Sequence, residues 1–144
     1  ECREKIESRL LLVDFIRNQA KLTGTHIGCD TSQCGSCIIL LNNDIVKACS
    51  ILAVQANNQN IITIEGVGDK NNLHPMQEAF REFHGLQCGF CTPGMIISAI
   101  DLVNKEPIIN EKIIRKHLEG NMCRCTGYHN IVKAIMSGSE AMKS

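Results

Sequence analysis

Eight of the chain's nine cysteines fall into two sets of four, one in each half of the sequence. Cys29, Cys34, Cys37 and Cys49 are spaced C-x4-C-x2-C-x11-C, and Cys88, Cys91, Cys123 and Cys125 are spaced C-x2-C-x31-C-x-C. Thiolates gathered four at a time hold either a zinc ion or an iron-sulfur cluster. Zinc sites favour pairs of C-x2-C, whereas the four-residue gap followed by a two-residue gap is the spacing of a [2Fe-2S] centre. The residues between the first thiols, Asp30-Thr31-Ser32-Gln33 and Gly35-Ser36, are small or polar. They let backbone amides approach the sulfurs, which tunes a cluster as strongly as its ligands do.

The second set is less specific by spacing alone. A C-x2-C pair by itself is also a redox dithiol, and a C-x-C pair is unusual in a zinc ribbon. Its position adds information, because both pairs precede expected helix starts, at Pro93 and near Asn130. Two positive helix ends can then face one anionic group. On these residues a second cluster leads, with zinc as the alternative.

The remaining polar residues offer no rival chemistry. His26, His74, His84, His117 and His129 could replace two thiolates in a Rieske-type centre, but each set already has four. Cys2 has no companion and is expected to be a surface thiol, outside either ligand set. Arg124, between two candidate ligands, is expected to offset cluster charge, contact a partner or simply face solvent. Glu65, Asp69, Glu106 and Glu111 lie in turn or cap contexts. Paired carboxylates, a Ser-His-Asp set, H-E-x-x-H and a phosphate loop are all absent, so no catalytic, bond-making residue is assigned.

The elements that must position the thiols follow from periodicity. Leu11, Leu12, Phe15 and Ile16 predict an N-terminal helix ending near Lys21. Two apolar runs, residues 37–41 and 45–49, flank Asn42-Asn43-Asp44 and predict a hairpin whose second strand returns Cys49 to its set. The β-branched run Ile61–Ile64 predicts a further strand. Residues 66–72 are polar and glycine-containing, which marks a connector. Four helical stripes follow: Met76/Ala79/Phe80/Phe83 after Pro75 with Gly85 to end it, then Met95/Ile96/Ala99/Ile100/Val103, Ile113/Ile114/His117/Leu118 from Asn110 to Gly120, and Ile131/Val132/Ile135/Met136. The fold class is therefore α+β: a small mixed unit over residues 1–69, then an all-α four-helix bundle over residues 70–144.

Composition sets the bounds. With 144 residues, no Trp, one Tyr and four Phe, two units of this size have thin cores and need staples, which the cysteines can supply. The start, Glu1-Cys2-Arg3-Glu4-Lys5, puts charges where a signal peptide needs its apolar segment, and no run approaches membrane-spanning length. A cytoplasmic setting follows, and it favours thiolate chemistry over disulfides. The first residue is not Met, which suggests that some N-terminal residues are missing. Fifteen basic and fifteen acidic residues balance, which argues against nucleic acid as the partner.

Three strings carry a family resemblance: Gly28-Cys29-Asp30-Thr31-Ser32-Gln33-Cys34-Gly35-Ser36-Cys37, Gln87-Cys88-Gly89-Phe90-Cys91-Thr92-Pro93-Gly94-Met95 and Gly120-Asn121-Met122-Cys123-Arg124-Cys125-Thr126-Gly127-Tyr128. With Thr25-His26-Ile27-Gly28-Cys29 and His84-Gly85-Leu86-Gln87-Cys88, the chain resembles the iron-sulfur subunit of molybdenum hydroxylases, the xanthine oxidase family, and within it the small subunit of aerobic carbon monoxide dehydrogenase. The resemblance implies a β-grasp, plant-type ferredoxin-like domain followed by the helical domain, each carrying one [2Fe-2S] cluster. It implies a large partner subunit with a molybdopterin-type cofactor and a medium one with FAD, in a dimer of heterotrimers. Electrons would pass from molybdenum through the helical cluster and the ferredoxin-like cluster to the flavin. Gln87 and Cys125 would lie beside the pterin, and the Cys29–Cys37 loop would face the flavin side. The chain departs from the pattern in beginning within the second strand, which leaves a sheet edge exposed. The substrate stays open among carbon monoxide, aldehydes and nitrogen heterocycles.

Overall fold

A computed structural model describes residues 2–69 and 71–143. Glu1, Lys70 and Ser144, which entered the expectations above, lie outside the described residues. The described chain is a small antiparallel sheet and a set of helices, joined along one long helix.

The first helix, α1 (Leu12–Asp14), widens into π-type turns over Phe15–Gln19, where the Ala20 amide donates to the Phe15 carbonyl at 3.0 Å. It buries Leu12, Val13 and Ile16 and ends where Lys21 takes a positive φ of 59°. Arg17 Nη1 then donates to the carbonyls of Thr23 and Thr25, each at 2.7 Å. That pair of hydrogen bonds fixes the chain entering the first cysteine loop.

Strands β1 (Ile38–Leu41) and β2 (Asp44–Lys47) pair antiparallel in the register Ile38↔Lys47 to Leu41↔Asp44. The turn is the two-residue pair Asn42-Asn43, both at positive φ (52° and 71°), the conformation whose twist matches a hairpin and that asparagine tolerates best after glycine. Asp44 is already strand. β3 (Ile61–Ile62) adds to the other edge of β1, giving the order β2-β1-β3.

Three expectations need correction here. Cys49 lies in a 3-10 turn, Ala48–Ser50, beyond the end of β2. The strand at Ile61 stops at Ile62, because Ile64–Gly66 winds into another 3-10 turn held by the Glu65 carboxylate, which accepts from Thr63 and Gly24. Residues 2–10 hold no strand, and only an isolated bridge joins Leu11 to Leu52.

The four helices stand at the expected places: α2 (Pro75–Glu82), α3 (Thr92–Lys105), α4 (Glu111–His117) and α5 (His129–Lys143). α2 starts on a reciprocal cap, with the Met76 amide donating to His74 Nδ1 and the His74 amide to Gln77 Oε1. His84, not Gly85, takes the left-handed position after it (φ 51°). Gly85 follows it and helps to close the helix, its amide donating to the Phe80 carbonyl at 2.9 Å, in a tightly packed place where a Cβ would stand 3.0 Å from Phe80 Cδ1 and 3.1 Å from Ala134 Cβ. Met76, Phe80, Met95, Ile114, Ile131 and Ile135 fill the helical core, and Ile64 and Val67 from the connector side pack onto it. α3 is buried from Gly94 through Val103 because it packs on α2, α4 and α5 and also on β1 and β2. It is the beam shared by both halves. No helix among the described residues is long and apolar enough to cross a membrane.

Candidate metal centres

Each sequence-predicted set of thiols comes together. In the first, the Cys34 amide donates to Cys29 Sγ at 3.4 Å. Amide donation from Cys34, then Thr31 and Gln33, lowers the Cys29 thiol to about 6, so the loop is built to hold a thiolate. Cys37 is buried and pushed up to about 12, by burial first and then by its neighbours Cys49 and Cys34. Ser32, at φ 58°, places Oγ 3.7 Å from Cys49 Sγ. Cys29 pairs with Cys34 and Cys37 with Cys49, and Cys37 and Cys34 interact across the two pairs.

In the second set, Cys125 and Cys88 stand with sulfurs 3.5 Å apart, and this contact raises the Cys125 thiol. Cys91 sits at the N-cap of α3 and is pushed up to about 12 by burial first and by Cys123 next to it. Cys123 behaves oppositely. Burial opposes its ionisation, but the Thr126 hydroxyl at 3.1 Å and the amides of Thr126 and Cys125 hold it lower. Tyr128 completes this corner: its hydroxyl accepts from the Cys123 amide at 2.8 Å and donates to the Asn121 carbonyl at 3.3 Å.

Exposure separates the members of this set. Cys91 and Cys123 are buried, while Cys88, Cys125 and Gln87 are exposed, as are Leu86, Phe90 and Met122 close to them in sequence. Cys2 is exposed and Arg124 faces outward.

The two sets are stitched to each other. The Met122 amide, one residue before Cys123, donates to the Cys34 carbonyl at 2.8 Å. A Cβ on Gly35 (φ 75°) would collide with the Gly120 carbonyl, and one on Gly94 would collide with the Gly35 carbonyl, so both positions require glycine for this approach. His26 Nδ1 donates to the Phe90 carbonyl at 2.7 Å, and the two rings stack at 4.5 Å. None of these seam residues follows from cysteine spacing. The signal available in sequence was the glycines beside the ligands.

The donor chemistry fits iron-sulfur clusters. Among the described residues no three His, Cys, Asp or Glu side chains converge on one ion position. The thiols meet instead in pairs, and two thiolates per iron is what a [2Fe-2S] core takes. Cys37 and Cys91, costly to ionise when buried, need the positive charge that iron brings. Thr92 Oγ1, on the residue after Cys91, is buried without a partner, and a cluster sulfur is an acceptor for such a hydroxyl.

Comparison with known proteins agrees. Residues 63–136 match the [2Fe-2S] binding domain family. The caffeine dehydrogenase subunit gamma of Pseudomonas sp. (strain CBB1) is 45% identical over 94% of the chain and 83% of its own length. The aldehyde oxidoreductase iron-sulfur-binding subunit PaoA of Escherichia coli (strain K12) is 40% identical over 97% of the chain and 68% of its own length. The crystal structure of quinoline 2-oxidoreductase from Pseudomonas putida 86 superposes with a TM-score of 0.91 at 41% identity, covering 96% of this chain and 86% of that one. With paired thiols at both ends of its sequence pattern and relatives of this kind along its length, the chain belongs to the iron-sulfur, electron-transfer subunits of molybdenum hydroxylase-type oxidoreductases, the xanthine oxidase family.

Proposed function

We propose that the chain carries two [2Fe-2S] clusters and relays single electrons between a molybdopterin-type cofactor in a large subunit and FAD in a medium subunit. Cys29, Cys34, Cys37 and Cys49 would hold the first cluster, and Cys88, Cys91, Cys123 and Cys125 the second. Each cluster supplies one-electron storage when bound. What this chain supplies is the ligand pairs, the amides and hydroxyls aimed at sulfur, and a fixed spacing between the sites.

The observation that carries this reading is the Met122–Cys34 hydrogen bond at 2.8 Å. It joins a candidate ligand of one set to the residue beside a ligand of the other, a covalent and hydrogen-bonded path from Cys123 to Cys34. Exposure supports the direction. Cys125, Cys88 and Gln87 lie at the surface, where a pterin held by a partner can reach them. Cytoplasmic residence accords with thiolate chemistry of this kind.

The substrate belongs to the partner. A carbon monoxide dehydrogenase type was the expectation from overall likeness, whereas the relatives named above are named for caffeine, quinoline and aldehydes. A nitrogen heterocycle or an aldehyde is accordingly the better supported substrate class. Cys125→Ser in the assembled complex is expected to damage the second cluster's EPR signal, leave the first in place, and slow flavin reduction by substrate at least tenfold. Loss of the first cluster's signal alone would overturn the assignment.

A further inference from the structure

Lys47 is the last residue of β2, two residues before Cys49. Its Nζ donates to the carbonyl of Ser32 at 2.8 Å and to that of Gln33 at 3.3 Å, the two residues immediately before Cys34. Ser32 is held at a positive φ (58°) and turns its own hydroxyl toward Cys49. The ammonium thus clamps the tightest part of the first cysteine loop from the strand that delivers Cys49. It also reaches the other half: it stands 3.8 Å from the position of a Cβ on Gly120, in the turn leading to Cys123. Lys47 is half-buried, so its charge is screened less than that of an exposed lysine.

We infer that Lys47 is a positioning residue of the electron relay, one that holds the Ser32–Gln33 turn and raises the reduction potential of the first cluster relative to the second. This rests on the cluster assignment proposed above. A [2Fe-2S] core with four thiolates is anionic and gains a further negative charge on reduction, so a fixed cation nearby favours the reduced form. Both direct bonds of Lys47 lie on the first loop, while its link to the second set is only proximity to Gly120. The effect is therefore unequal, and its sign draws electrons from the second cluster towards the first. Asp30 in the same loop has the opposite charge but faces solvent, where screening weakens it.

The test is an EPR-monitored redox titration of the assembled complex carrying Lys47→Met, Lys47→Gln or Lys47→Arg, with iron and acid-labile sulfide measured on each. The first-cluster signal is identified as the one that Cys37→Ser abolishes. Lys47→Met and Lys47→Gln are expected to lower the first cluster's midpoint potential and to move the second's less. Lys47→Arg should remain near the unaltered value. If Lys47→Met fails to load iron, the comparison of Lys47→Gln with Lys47→Arg decides. An unchanged first-cluster potential in a loaded neutral variant would overturn the inference, as would equal lowering in Lys47→Arg, which would indicate packing rather than charge. Absence of a first-set signal in the unaltered complex, with stoichiometric zinc in place of iron, would instead overturn the cluster assignment on which the inference depends.

Discussion

The thiols of the two sets do not begin equal. Cys29 is lowered to about 6 by the Cys34 amide first and by those of Thr31 and Gln33, while Cys37 and Cys91 are pushed up to about 12 chiefly by burial. At neutral pH the thiolate fraction, and with it nucleophilicity and metal capture, is greatest where amides point at sulfur. In iron-stripped protein treated with iodoacetamide near pH 7, mass spectrometry should find Cys29 alkylated before Cys37 and Cys91. Raising the pH to about 9 should leave Cys29 almost unchanged and speed Cys37 and Cys91 by about a hundredfold, yet Cys29 should still lead, because the buried thiols stay mostly protonated there. Equal labelling at neutral pH would show that the loop amides do not stabilise the Cys29 thiolate. That Cys29 lies near Cys34, and Cys37 near Cys49, was legible from spacing, whereas the second group's pairs needed their flanking residues as well. The unequal ionisation of the thiols was not legible, because it depends on which backbone amides face each sulfur.

Local elements were legible where one periodicity ruled, as in the four helical stripes, and illegible where tertiary contacts overrode it. Ile61–Ile64 is β-branched throughout, yet only Ile61 and Ile62 pair with β1, since Glu65 is drawn to Gly24 and Thr63 and turns the chain. Gly85 helps to close its helix as the sequence suggests, but His84 takes the left-handed position before it. The difference between a left-handed backbone and a lack of room yields a test with an internal control. Gly35 and Gly127 both have positive φ, 75° and 63°, but a Cβ at Gly127 meets nothing within 4 Å whereas one at Gly35 meets the Gly120 carbonyl. Gly127→Ala should cost about 1 kcal/mol, the left-handed penalty alone. Gly35→Ala should cost at least about 2 kcal/mol more, because the turn bearing Met122 must move away from Cys34. Thermal unfolding measures both. In the loaded protein, Gly35→Ala should also weaken the magnetic coupling between clusters seen as splitting in low-temperature EPR, and Gly127→Ala should not.

At the scale of the molecule, the sequence suggests two units and a connector, whereas α3 packs on the sheet as well as on the other helices. The sequence pattern was read as one apolar stripe, whereas Ile97 and Leu102 outside it are buried as well, and no periodicity says what each side of such a helix meets. One ion-pair group pins α3. Asp101 on α3 is 3% exposed and receives Lys105 Nζ at 2.7 Å; the same Nζ reaches Asp44, at the start of β2, at 2.9 Å. His117 Nε2 from α4 stands 4.0 Å from the other Asp101 oxygen. Asp101 first, and Asp44 after it, raise the Lys105 ammonium above the ordinary lysine value. A folded-state pKa above the unfolded one stabilises the fold fully below the unfolded value, and the contribution fades as pH rises through the folded value. Lys105→Met should therefore lower stability by about 1 kcal/mol near pH 8, a modest figure because Lys105 is half exposed although Asp101 is not. The deficit should shrink above about pH 10.5, where the unaltered protein also begins to lose its ammonium. Denaturant melts of both proteins at the two pH values measure it, and a deficit that persists undiminished in alkali would mean that Lys105 holds α3 to the hairpin by packing of its alkyl chain rather than by charge.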